Sequence, residues 1–262
     1  MDITASIVSH GHGTQVEALL ARLAQPGGHR PRRVIVTLNL PEPGLTARLR
    51  ARDWPFDLDV TENAAPAGFG TNHNRAFERD GRHGASAFFA VLNPDLRWRA
   101  EPWSAMAAVL EADPRAGAVY PVQLDAASRR QDQERLLPTP ARLLARHVLR
   151  RAAEVGEGQR PDWVNAAFLL LRRTAYAGIH GFDEGFHMYC EDVDLCLRLQ
   201  LAGWRLARAD GAVVEHAAQR ASRREVRHLL WHARSLLRLW RSPVWRAWRS
   251  GPAPVSDSSA SP

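Results

Sequence analysis

Lysine is absent from this chain of 262 residues, so all 35 basic side chains are arginines, set against 28 acids for a formal charge of +7. Cysteine occurs only twice, at Cys190 and Cys196. Two cysteines six residues apart on one helix point in different directions, which predicts no disulfide, and their spacing is not that of a zinc site. Such usage fits a reducing compartment. No stretch reaches the roughly 18 apolar residues of a membrane-spanning helix. The opening residues 1–9 lack the basic start and apolar run of a secretory signal. The expectation is a cytoplasmic protein, with peripheral contact at the inner face of the cytoplasmic membrane left open.

What is present is the composition of an ordinary globular protein, 45% hydrophobic and 24% charged, with nine tryptophans. The length suffices for one large domain, or for one domain with an appendage. Arginine offers a planar fork of donors suited to phosphate and carboxylate. A basic balance fits nucleic acid, an anionic membrane surface or a phosphorylated substrate, and alone does not choose among them.

Periodicity predicts strands at residues 2–9, 33–38, 57–62, 85–92 and 117–122, and helices after Gly13, from Gly68 onward and over 103–110. The first helix carries Val16, Leu19, Leu20 and Leu23 on one face and stops at Gly27-Gly28. Strands alternating with helices imply a mainly parallel sheet flanked by helices. In such sheets ligands sit beyond the carboxyl ends of the strands. That makes Ser9, His10, Asn39, Glu62, Asn93 and Asp95 candidates. His10 and His12 fit a solvated loop equally well, and Asn72 and Asn74 fit turn or cap roles. Gly68 and Gly70 would let backbone approach a phosphate or base, but the full dinucleotide fingerprint is missing, which disfavours a Rossmann oxidoreductase.

The most informative stretch is residues 181–198, which packs glycines, aromatics and five carboxylates ahead of an apolar helix starting at Glu191. Acids in a first helical turn can be mere capping. Asp194 has a partner in Arg198, four residues on along the same face. Asp192 has no such local partner and is the better candidate for a working carboxylate, with Glu191 in reserve.

Elsewhere, residues 125–162 are Arg-rich and predict either a solvated face or an acceptor-binding flap, with a short basic helix over 142–151. Residues 163–171 read as one buried strand, and 204–209 with 212–215 as two more, ending at His216. From residue 223 to 240 an amphipathic helix places Val226, Leu229, Leu230, Ala233, Leu237 and Trp240 on an apolar stripe, with arginines elsewhere. Such a helix suits either an anionic bilayer surface or packing on the core. Residues 251–262 are rich in Pro, Ser and Ala and predict a disordered tail.

Residues 180–195, His-Gly-Phe-Asp-Glu-Gly-Phe-His-Met-Tyr-Cys-Glu-Asp-Val-Asp-Leu, resemble the signature of family-2 glycosyltransferases. The resemblance extends in order over nearly all of residues 1–216, through Ser9-His10, the Gly68-Phe69 loop with Asn74, Asn93-Pro94-Asp95, Glu191-Asp192 and His216. It implies the GT-A nucleotide-diphospho-sugar transferase fold over residues 1–222, followed by a basic amphipathic helical segment at 223–250.

The resemblance also implies roles. Asp192 would be the base on the acceptor hydroxyl. Asn93-Pro94-Asp95 stands where the family has Asp-x-Asp, as in its rhamnosyltransferase-like members, so Asp95 would hold Mg²⁺ or Mn²⁺ together with His216. Ser9, His10, Asn39, Glu62, Gly68, Phe69, Asn74, Asn93, Asp95 and Asn165 would line the nucleotide-sugar donor. The implied activity is metal-dependent, inverting transfer of a sugar to a glycan or lipid-linked saccharide acceptor, with no nucleic acid expected. The family's usual Asp-Asn-x-Ser after the second strand is Leu38-Asn39-Leu40-Pro41 here, which leaves the nucleobase and its contact open. An Arg-rich nucleic-acid-binding protein and a catalytically inactive scaffold are the competing readings.

Overall fold

Ile3–Ser9 carries no charged side chain, and it forms the first strand, β1, near the middle of the sheet. In the computed structural model, residues 2–26, 28–147, 155–156, 159–216 and 226–251 are described. After β1 come helix α1 (Gly13–Leu23), β2 (Arg33–Leu38), α2 (Leu45–Arg50), β3 (Asp57–Glu62), α3 (Phe69–Arg82), β4 (Phe88–Leu92) and β5 (Leu96–Arg97). Then follow α4 (Trp103–Ala112), β6 (Ala116–Leu124), β7 (Glu134–Arg135), α5 (Pro140–His147), β8 (Trp163–Val164) and β9 (Phe168–Arg172). The chain continues through α6 (Arg173–Gly178), α7 (Glu191–Leu201), β10 (Arg205–His216), α8 (Val226–Arg241) and α9 (Pro243–Arg249).

The main sheet runs β3-β2-β1-β4-β9-β6-β10-β5. β3, β2, β1 and β4 are parallel, as are β6 and β10. β9 enters between β4 and β6 antiparallel to both, and β5 closes the edge antiparallel to β10. Alternation of side chains along the strands feeds two cores, one on each face. Ile3, Ala5 and Ile7 meet α1, α2 and α4 through Leu20, Leu49 and Met106. Ile35, Phe89 and Val91 point the other way, into a core with Tyr176, Phe182, Leu195 and Leu239. Burial on both faces is why these strands read as unbroken apolar runs.

Several sequence expectations need correction. Residues 163–171 are not one strand: β8 pairs with β7, the chain then breaks at 165–167, and β9 alone joins the main sheet. Residues 204–215 are one strand, β10, with an irregularity between Ala209 and Val213 that absorbs Asp210-Gly211. Helices α2 and α6 and strand β5 carry no strong local signal and were not anticipated. The apolar stripe of α8 is divided: Trp240 packs inward and donates to the Pro138 carbonyl, while the leucines of the stripe face outward. Leu229, Leu230 and Leu237 are 70%, 64% and 48% exposed, while Ser235, Leu236 and Leu239 are buried. The expected end of the basic helix at residue 151, the 222/223 boundary and the tail beyond Gly251 lie outside the described residues.

At the amino-terminal edge of the sheet, the buried Asp80 carboxylate gathers Thr4, the Ser86 backbone N–H, Arg33 and Arg173 at 2.6–3.0 Å. Burial alone would raise its pKa, but hydrogen bonds from Thr4 and Ser86 and the charge of Arg173 outweigh that and leave it lowered. A depressed folded pKa means the stabilisation is present above the ordinary carboxylate range and lost as pH falls below it. Asp80→Ala leaves two arginines facing a void. Its expected cost is about 3–5 kcal/mol, read as a lowered urea midpoint; an unchanged midpoint would dismiss this network as a structural anchor.

Candidate active site

The parallel strands β1 to β4 end on the opposite edge, and there β9 begins, because it runs antiparallel. The Leu92–Phe168 pairing therefore brings the segment before β9 against Asn93, whose N–H donates to the Ala167 carbonyl at 2.8 Å. β10 ends at the same edge, pairing His216 with Leu96. The result is a cluster: His216 Nε2 lies 3.5 Å from Asp95 Oδ1 and 3.4 Å from Asn93 Nδ2. Gln131 donates to the His216 carbonyl at 2.6 Å and holds the strand end in place.

Burial keeps His216 neutral by lowering its pKa, against the opposing pull of Asp95. Its Nδ1 is buried and has no hydrogen-bond partner among the described residues. A carboxylate, a neutral imidazole and a buried ring nitrogen with unfilled bonding capacity suit a divalent cation. Among the described residues no three His, Cys, Asp or Glu side chains converge. Asp95 and His216 would thus supply two ligands, the remainder coming from substrate oxygens and water.

The same 165–167 segment reaches the carboxylates. The Ala166 N–H acts on Asp192, on the first turn of α7, and favours its ionised form, while the Ala167 carbonyl accepts the Asn93 N–H and the Ala167 N–H donates to Asn165 Oδ1. Asn165 exchanges two amide hydrogen bonds with Gln123 at the end of β6, which fixes the segment laterally. The 165–167 segment therefore lies between Asp192 and Asn93-Pro94-Asp95. Asp194 pairs with Arg198 at 2.7 Å, as the i,i+4 spacing implies.

Burial raises the pKa of Asp192 to about 6, against the pull of the Val193 N–H and of the Arg135 charge. Glu191 is more deeply buried, and the Asp192 charge beside it raises its pKa further. One Glu191 oxygen has no hydrogen-bond partner among the described residues. Two adjacent acids with displaced pKa values are a signature of acid–base chemistry. Directly before them, Tyr189 and Cys190 adopt left-handed backbone at φ 71° and 63°. Such conformations cost about 1–3 kcal/mol each for non-glycine residues and persist where the surroundings impose them. Here α8 imposes them: Ser235 donates to the Met188 carbonyl, and the Tyr189 hydroxyl meets His228 Nδ1 at 2.8 Å.

Other expected donor residues make contacts within the protein. The Asn74 amide binds the Phe182 carbonyl and N–H, the Glu184 carboxylate and the Tyr176 hydroxyl, tying α3 to the carboxylate loop. A side chain at Gly181 would collide with it, at 2.3 Å from Asn74 Oδ1. Gly68 makes a close approach, but to protein: a Cβ there would sit 2.9 Å from the His187 carbonyl, and the neighbouring Phe69 N–H donates to that carbonyl. Phe69 packs edge-on against His73 and Phe182. Asn39 is buried and spends its amide on both backbone groups of Ala67, on Asn63 and on His10. Glu62 is exposed at the end of β3, the far strand of the sheet, and accepts from Thr46.

Two residues escaped the sequence reading. Glu42 accepts from the Ser9 hydroxyl and from the N–H groups of Gly11 and Gly13, filling the amino terminus of α1 with a carboxylate of the protein itself. Ser9 is buried there. Arg135 lies over the Trp163 ring, its guanidinium carbon 5.0 Å from the ring centre, where its charge acts on Asp192. Nothing local distinguishes it among 35 arginines.

Sheet order and site define a glycosyltransferase of the GT-A type. Pyrobaculum calidifontis mannosyltransferase PcManGT, solved with GDP-Man and Mn2+, superposes with a TM-score of 0.59 at 17% identity over 90% of this chain and 64% of its own. S. aureus TarS 1-349 with UDP-GlcNAc gives 0.60 at 14% identity, over 82% of this chain and 58% of its own. No family model matches the sequence. The N-acetylglucosaminyl-diphospho-decaprenol L-rhamnosyltransferase of Mycobacterium tuberculosis is 30% identical over 249 residues, 87% of this chain and 80% of its own. Rhamnosyltransferase WbbL of Escherichia coli is 41% identical over 78 residues, 29% of this chain and 30% of its own. The chain belongs to the rhamnosyltransferase-like glycosyltransferases of family 2.

Proposed function

We propose that this enzyme transfers a deoxyhexose of the rhamnose type from a nucleoside-diphosphate donor to a hydroxyl of a lipid-linked saccharide, in the building of a cell-envelope glycan. The observation that carries the reading is the 165–167 segment lying between the two groups: its Ala167 carbonyl accepts from Asn93 of the Asn93–Asp95–His216 cluster, and its Ala166 N–H acts on Asp192. The named activities of the mycobacterial and E. coli relatives support the sugar and acceptor class.

Transfer proceeds by direct displacement with inversion. The acceptor oxygen bonds to the anomeric carbon as the bond from that carbon to the diphosphate oxygen breaks, and Asp192 receives the hydroxyl proton. The Ala166 N–H and the Arg135 charge hold Asp192 ionised and oriented for this. Asp95 and His216 would hold Mg²⁺ or Mn²⁺, which when bound offsets negative charge on the departing nucleoside diphosphate. Asn93, beside both, is placed to orient the donor. Glu191 stands beside Asp192, its own pKa raised by burial and by the charge of that neighbour.

The replacement of the first acid of the Asp-x-Asp pattern by Asn93 favours one rival, an inactive scaffold. A panel of thymidine-, uridine- and guanosine-diphosphate sugars, assayed with Mn²⁺ and with EDTA, decides. One donor turned over only with metal supports the transferase. No turnover, or hydrolysis of none, sinks it in favour of the scaffold. An RNA-binding protein would instead show affinity falling steeply with salt.

A further inference from the structure

Helix α8 has three sides. At about 100° of turn per residue, His228, Trp231, His232, Ser235, Leu236 and Leu239 fall on the side that covers the carboxylate loop, and all are buried or half-buried. Its Ser235, Tyr189-bonded His228 and Trp231, stacked near His187, make that contact. Leu229, Leu230, Ala233 and Leu237 occupy a second arc and are all exposed. Arg234 and Arg241, also exposed, lie on the adjoining arc, beside Arg238, which pairs with Asp183. Among the described residues, three of the six exposed large apolar side chains lie on this one helix.

Charge selects the occupant. From residue 226 to 251 the chain has six arginines and no acid. α9 continues the pattern, exposing Arg246 and Arg249 with Trp248 half-buried. A helix that shows leucine on one arc and arginine on the next, followed by tryptophan, matches the boundary between acyl chains and anionic headgroups. No helix among the described residues is long and apolar enough to cross a membrane, so contact would be by lying on the surface.

We infer that the outer arc of α8 rests on an anionic lipid bilayer. Leu229, Leu230 and Leu237 enter the acyl boundary, and Arg234 and Arg241 meet the headgroup phosphates. Because the opposite side of α8 holds the 187–190 backbone, this arrangement sets the carboxylate loop directly above the bilayer.

The test is co-sedimentation of the full chain with phosphatidylglycerol vesicles, phosphatidylcholine vesicles serving as the neutral control, at physiological salt. The wild type is expected to sediment with the anionic vesicles and not with the neutral ones. Arg234→Gln with Arg241→Gln should weaken binding roughly thirty-fold, taking each arginine at its usual headgroup contribution. Leu229→Ser, Leu230→Ser and Leu237→Ser together should abolish it with the melting temperature unchanged. Should the leucine variant fold poorly, the arginine pair, which touches no core residue, decides alone.

A wild type that stays in solution with anionic vesicles, or variants that bind as it does, would overturn the inference. So would light scattering showing a dimer that the leucine changes split, which would make the face a contact between two copies. The readout needs neither donor nor acceptor, so it stands or falls separately from the transferase reading.

Discussion

Asp192→Asn is expected to lower the transfer rate by about 10²- to 10⁴-fold, the usual contribution of a positioned general base, while the protein becomes more stable. The two effects share one cause. Burial raises the Asp192 pKa to about 6, so the folded state binds a proton that the unfolded chain gives up near 4. For an acid shifted in that direction, the native state is penalised once pH rises through the folded pKa. The amide carries no such penalty. Its stability should exceed that of the wild type at pH 8 by on the order of 1–3 kcal/mol, read as a higher melting temperature, and the two should converge below about pH 4.

The rate makes the complementary statement. Wild-type turnover should fall as pH drops through about 6, not through the ordinary carboxylate range near 4, because the base must be ionised. Calorimetric binding of the donor nucleotide should be almost unaffected in Asp192→Asn. A variant that still transfers sugar removes Asp192 from the chemistry and passes the role to Glu191. A variant that loses nucleotide binding instead makes position 192 a donor contact.

Asp95→Ala should act at the other end of the site. Removing one of two protein ligands for a hard cation should weaken nucleoside-diphosphate affinity in Mn²⁺ by at least about tenfold, with little change in EDTA, since bound diphosphate and carboxylate share the ion. Transfer should fall by about 10²- to 10³-fold as charge on the leaving group goes uncompensated. His216→Ala should follow in the same direction. Equal affinity with and without metal in the wild type, or unchanged binding in Asp95→Ala by calorimetry, would detach this cluster from metal altogether.

How much of this was legible beforehand differs by residue. The strands β1 and β2 and helix α7 were legible because each buries an apolar pattern, and β3 because Leu58 and Val60 alternate with polar residues on an edge strand. The strand at β9 was misjudged, since a run from Trp163 to Leu171 looks unbroken until one sees Asn165 turning away to bond Gln123. The stripe on α8 was read correctly as a stripe, yet its direction was not readable. Leu229 and Leu236 are the same residue type, and only the position of the loop at 182–190 decides which of them is covered. Asn39 and Asn74 illustrate the same limit: an asparagine at a strand end or early in a helix is equally suited to ligand or scaffold, and here both amides bond backbone groups of neighbouring loops.

Local order of elements, the acid-bearing helix start, the Asp194–Arg198 pair and the lysine-free basic balance are all properties of neighbouring residues, and the sequence by itself determined them. The meeting of Asp95 with His216, the reach of Arg135 to Asp192 and the sealing of α1 by Glu42 were decided only by the tertiary structure. Those contacts span tens to more than a hundred positions along the chain, and no periodicity or spacing encodes a distance that is closed by the insertion of one antiparallel strand.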